Sequence, residues 1–252
     1  MGFSGGIYAV GIHLCGGVLL AQEAYEGRKA SCVEGKSIRK KDKGNTKMKN
    51  AILYIHGKGG SAAEAEQYRK NCPGFDMIGV DYEADFPWEA EKLIREAYAQ
   101  IAGNYDRIWI LANSIGAYFA MHTLQDNRID KALFISPVLD MERRIFDMMG
   151  WAQVTEEQLC EKGKIPTDFG EMLSWEYLCF ARQHPICWNV PTEILYAEND
   201  NLISRHTVEK FVETHSAGLT VMENGEHWFH TEEQMAFLDH WMKNIVKKFL
   251  NK

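Results

Sequence analysis

The stretch Arg107-Ile108-Trp109-Ile110-Leu111-Ala112-Asn113-Ser114-Ile115-Gly116-Ala117 runs from an apolar strand straight into a serine and then a glycine. A serine hydroxyl is a weak nucleophile unless a sharp strand-to-helix turn holds it where a histidine can take its proton and N–H groups can face an oxyanion. Small residues flank Ser114, as close backbone approach at such a turn requires, and helix-compatible residues continue from Ala117 to Leu124. The spacing matches a Gly-x-Ser-x-Gly elbow with Ala112 in place of the first glycine. The plainer reading of Ser114 is a helix cap, a frequent job for serine.

Segments on either side favour the elbow. Upstream, the apolar run Ala51–Ile55 ends in His56-Gly57-Lys58-Gly59-Gly60-Ser61, a glycine-rich loop that leads into the helical pattern Ala62–Asn71. Downstream, the strand pattern Glu193–Ala197 ends in the acids Glu198 and Asp200, and the run from Leu219 ends in His227. Serine, aspartate and histidine therefore follow in that order, each just after a strand. The remaining periodicities predict strands over Met77–Tyr82, Arg107–Leu111 and Ala132–Pro137. They also predict helices over Pro87–Ala102, Ile115–Leu124, Ser204–His215 and Thr231–Leu250. Short apolar strands separated by such helices indicate a parallel sheet covered on both faces. In such sheets ligands gather at the carboxyl ends of the strands, where all of these groups lie.

This order and these positions resemble the α/β-hydrolase fold family, over roughly Lys49 to Leu250. The resemblance implies an α/β chain with a mostly parallel sheet, helices on both faces and a small helical cap. It further implies Ser114 as nucleophile, His227 as base, and Asp200 as the carboxylate that fixes the histidine tautomer. The oxyanion hole would use the backbone N–H of Ile115 and that of Lys58 or Gly59. Asp140 and Glu198 are alternative acids, and the family arrangement favours Asp200. His56 reads as support for the glycine loop rather than as a base. His230 and Glu226 beside His227 lack a third placed ligand, so no metal is expected. Lys58 lacks the Gly-x-x-x-x-Gly-Lys-Ser/Thr spacing of a phosphate loop.

The activity implied is serine hydrolysis of a carboxylic ester of a small or medium-sized substrate through an acyl-enzyme, with no cofactor. Amide or aminopeptidase-type cleavage is the alternative within the enzyme class. A non-catalytic ligand-binding protein on the same scaffold is the alternative outside it.

Between Met141 and Pro191 the alternation breaks. This stretch is helical in pattern, with a turn opening at Thr155 and a candidate helix over Phe169–Gln183, and residues 142–190 read as the cap. Its aromatic side chains would mostly pack the cap. Trp151, Trp175 and Tyr177 are the candidates for lining a substrate pocket.

A chain of 252 residues with 46% hydrophobic content can bury one substantial core. The net charge of −7 is uneven: residues 1–50 hold nine Lys and Arg against four Asp and Glu, which leaves −12 for residues 51–252. Such a surface lacks the clustered cations that nucleic acid requires. Residues 1–47 read as an extension outside the core domain, with residues 48–252 forming that domain. The apolar run up to Leu20 is shorter than the roughly 20 residues of a membrane span, and no Lys or Arg precedes it as a signal peptide requires. A cytoplasmic location is expected, with secretion or lipid anchoring through this segment left open. The expected partner is a small-molecule substrate, with no nucleic acid and no stable membrane insertion. Nothing in the sequence supports a homo-oligomer. The six cysteines form no Cys-x-x-Cys pair and read as free thiols.

Overall fold

The computed structural model describes residues 48–251. The extension 1–47 and its two cysteines lie outside the described residues. In chain order the elements are β1 (Asn50–Ile55), α1 (Ala65–Arg69), β2 (Phe75–Gly79), α2 (Pro87–Ala102), β3 (Arg107–Asn113) and α3 (Ile115–Leu124). Then come β4 (Lys131–Ile135), α4 (Met141–Trp151), α5 (Glu156–Lys162), β5 (Lys164–Pro166), β6 (Met172–Ser174) and α6 (Trp175–Gln183). The chain continues with β7 (Thr192–Ala197), α7 (Arg205–Thr214), β8 (Ala217–Met222) and α8 (Glu232–Leu250).

Six strands form one sheet in the order β2-β1-β3-β4-β7-β8, and each neighbouring pair is parallel. The chain goes outward from β1 to β2 and then returns to lay β3 on the other side of β1. The crevice between the ends of β1 and β3 is therefore the switch point of the sheet, the place where ligands settle in open parallel sheets. Side chains alternate across the sheet. Ile52, Tyr54, Trp109, Leu111, Leu133, Ile135 and Leu195 share one buried cluster with Leu238, Trp241, Met242 and Ile245 of α8. Their neighbours Leu53, Ile110, Phe134 and Ile194 point the opposite way and are fully buried as well. Both faces are thus covered, which explains why the strands read as continuous apolar runs. Each large side chain in this core contributes about 1.5–3 kcal/mol by its removal from water.

Local chemistry fixes the helix ends. Pro87 occupies the first turn of α2, where its missing N–H costs nothing, and the Glu89 carboxylate accepts from the N–H groups of Asp85 (3.0 Å) and Phe86 (3.1 Å). Thr231 caps α8 by accepting from the Gln234 N–H at 3.2 Å. Asp239 ties α8 to the chain after α1, accepting from the Asn71 amide and the Lys70 ammonium, both at 2.7 Å. Desolvation pushes the Asp239 carboxyl up, but Lys70 and Asn71 together hold it below its ordinary value.

Several boundaries moved. Strand β2 starts at Phe75, two residues before the expected Met77, because the Phe75 ring packs on Trp109 (4.6 Å) and Phe249 (5.5 Å). The helix expected over Ala62–Asn71 splits into a 3-10 turn at Ala62–Glu64 and the short α1. The helix expected over Phe169–Gln183 begins only at Trp175.

Residues 149–185 form one compact unit, and residues 48–148 with 186–251 form another. The smaller unit falls inside the stretch read as the cap. In it, β5 and β6 pair antiparallel, with Lys164 opposite Ser174, and the turn is closed by the Thr167 hydroxyl, which donates to the Glu171 carbonyl at 2.8 Å. This hairpin takes up the residues expected to be helical. Thr155 caps α5 and Ser174 caps α6. Arg182 grips Glu156 through two hydrogen bonds of 2.6 and 2.9 Å, which hold the Glu156 carboxyl below the usual range. Among the described residues no helix is long and apolar enough to cross a membrane.

Candidate active site

Ser114 follows the last residue of β3 and precedes the first of α3, at φ 49° and ψ −121°. Its N–H donates to the Ile135 carbonyl (3.0 Å), and its own carbonyl accepts from Val138 (3.0 Å), so the end of β4 grips the turn from both sides. Gly116 is obligatory here. A methyl group on it would overlap the carbonyl oxygens of Ile55 and His56. Ala112, the departure from the elbow pattern, is fully buried, and the turn forms with its methyl in place.

The side chain of Ser114 makes no capping bond. Its Oγ instead lies 3.0 Å from His227 Nε2, and His227 Nδ1 lies 2.7 Å from Asp200 Oδ2. The two side chains of the second contact are 2% and 0% exposed. Asp200 accepts through Oδ1 from the N–H groups of Leu202 and Ile203, both at 2.9 Å, which fixes the carboxylate. A carboxylate facing Nδ1 keeps the proton on that nitrogen and leaves the Nε2 lone pair toward Ser114.

The loop after β1 turns back on itself, with the Gly60 N–H on the Gly57 carbonyl at 3.1 Å. Gly59 holds φ 71° at its tip, a conformation that favours glycine. Lys58 at the same tip faces Asp85 at 3.7 Å. Ile115 is the first residue of α3, where a backbone N–H has no carbonyl to meet within the helix.

The competing residues have other partners. Asp140 accepts from the Arg143 N–H at 2.9 Å and opens α4. Glu198 accepts from the Asn224 N–H at 2.9 Å, joining the loops after β7 and β8. The His56 imidazole stacks on Tyr82 at 4.1 Å and contacts the Gly57 carbonyl through Nδ1 at 2.8 Å, a loop-supporting arrangement. His230 lies 3.4 Å from Glu226, both exposed. The three cap candidates belong to the smaller unit. Trp151 ends α4, exposed and edge-on to Phe169; Trp175 opens α6; and Tyr177 is buried.

Sequence reasoning missed a polar cluster under the loop. Tyr54 donates to Glu64 (2.6 Å), and the Asn113 amide donates to Tyr54 (2.9 Å) and Tyr68 (3.1 Å). Burial, reinforced by Tyr68 and Glu64, pushes the Tyr54 hydroxyl up, and burial does the same to Tyr68. Both stay neutral. The Ser61-x-x-Glu64 capping box was the readable signal for Glu64. Trp228 was also missed. It borders a cavity of about 580 Å³ that contains Ser114, His227, Tyr68 and Glu64. A second cavity, of about 900 Å³, is bordered by Ile115, Phe119, Tyr82 and Lys58.

No family model matches the sequence, and no curated protein matches it. Solved structures do. Est1E from Butyrivibrio proteoclasticus superposes with a TM-score of 0.64 at 14% identity, covering 83% of this chain and 92% of that one. Alpha/beta hydrolase domain-containing protein 10 from mouse gives 0.61 at 15% identity, over 79% and 90%. The esterase of Pyrobaculum calidifontis gives 0.56 at 17% identity, over 81% and 78%. Taken with the parallel sheet and the serine turn at its switch point, these likenesses show that the chain has the α/β-hydrolase fold.

Proposed function

We propose that the protein is a serine hydrolase that cleaves a carboxylic ester of a small or medium-sized substrate through an acyl-enzyme. The observation that carries this reading is the unbroken chain from Ser114 Oγ to His227 Nε2 (3.0 Å) and from His227 Nδ1 to Asp200 (2.7 Å). His227 takes the Ser114 proton as Oγ attacks the substrate carbonyl. The oxyanion is held by the N–H of Ile115 and that of Lys58 or Gly59. His227 then delivers its proton to the departing alcohol, and water releases the acyl group by the same route in reverse. Asp200 stabilises the imidazolium throughout. An esterase among the structural neighbours supports an ester as the bond cleaved.

The test is hydrolysis of a short-chain chromogenic ester together with labelling by a fluorophosphonate. Ser114→Ala is expected to abolish labelling and to lower kcat by about 10⁶, and Asp200→Asn by about 10⁴. Labelling that persists in Ser114→Ala would overturn the assignment.

A further inference from the structure

Trp228 is 64% exposed, although its chain neighbours His227 and Phe229 are 5% and 2% exposed. Its indole stands edge-on to the His227 imidazole, with ring centres 5.0 Å apart at 83°. An indole left in water forgoes most of the gain that burial would give. Here that flat apolar surface borders the cavity holding Ser114 and His227, and Met235 and Leu238 extend the same lining.

We propose that Trp228 forms the leaving-group subsite and that the alcohol released is flat and apolar, such as a phenol or a naphthol. This rests on the serine-hydrolase reading. In that reaction the bond between the carbonyl carbon and the leaving oxygen breaks, and the proton held on His227 Nε2 passes to that oxygen. The leaving group must therefore lie within hydrogen-bonding reach of Nε2, beside the indole. Of the oxyanion donors, Lys58 and Gly59 border both cavities, whereas Ile115 borders only the second, whose lining includes neither His227 nor Trp228. Trp228 is thereby assigned to the departing half of the substrate.

Three esters separate the two halves: ethyl acetate, 2-naphthyl acetate with an aromatic leaving group, and ethyl 2-naphthoate with an aromatic acyl group. Intrinsic reactivity cancels when each variant is compared with the wild type. Trp228→Ala is expected to lower the kcat/KM ratio of naphthyl acetate to ethyl acetate about fivefold to tenfold, the range that ring stacking supplies, mainly through KM. Trp228→Phe should keep the ratio within about twofold, and the naphthoate ratio should not move. An equal fall on all three esters would mean that Trp228 acts through His227. A shift confined to the naphthoate would place it on the acyl side. Either result, or no change, overturns the proposal.

A readout without turnover keeps the two readings apart. In Ser114→Ala, 2-naphthol should quench tryptophan fluorescence, and adding Trp228→Phe should remove that quenching. If the esters are not cleaved at all, the serine-hydrolase reading fails, while the quenching still decides the subsite.

Discussion

Ser114, Ser136 and Phe229 all have positive φ, at 49°, 42° and 44°, and all lie at the strand ends that form the candidate site. Such conformations cost about 1–3 kcal/mol each and persist only where the surroundings over-determine them. Ser136 bends the chain between Ile135 and Val138, the two residues that grip the Ser114 backbone. Phe229 is the most demanding of the three, being bulky, and its buried ring anchors the turn that carries His227. Gly116 is the complementary case, a position where any side chain meets backbone. Gly116→Ala is expected to cost about 1–3 kcal/mol through overpacking and to lower kcat about a hundredfold by displacing Ser114. Far-UV circular dichroism should stay unchanged, and kinetics on the chromogenic ester would check the loss.

At the scale of elements, the join between α8 and the segment after α1 rests on Asp239 with Lys70 and Asn71. Because the folded-state value of Asp239 is depressed, its ionic contribution is present above the unfolded carboxylate value of about 3.9 and is lost as the pH falls through the folded value. Asp239→Asn keeps an acceptor for Asn71 and removes the charge facing Lys70. Lys70 is well exposed, so the expected cost at pH 7 is about 0.5–1 kcal/mol, or about 2 °C in Tm, and calorimetry should find it vanishing once the pH has fallen through the depressed folded value. Two helices that came out as expected carry readable signals at their starts, Pro87 in the first turn of α2 and Thr231 before α8. The hairpin of β5 and β6 carried no such signal. Its three-residue strands are too short to show a period of two, and the stretch read as helical in pattern instead. Ser114, Asp200 and His227 were legible as candidates because Ser114 directly follows a strand and the other two lie in the loops just after β7 and β8. Trp228 was not, because exposure depends on the folded surface and has no sequence period.

Over the whole molecule, six parallel strands place groups from β3, β7 and β8 at one edge, and parallel pairing makes every neighbour in the sheet distant in sequence. Ser114 and His227 are 113 positions apart. Helices such as α2 can form early from local contacts, whereas this pair must wait for the long-range closures that slow the folding of parallel sheets. After dilution from urea, ellipticity should therefore recover ahead of the proposed hydrolysis of the chromogenic ester, and stopped-flow traces of the two would measure the lag. Turnover would report that the last two strands had joined the sheet, a stricter criterion of nativeness than any optical probe of helix content.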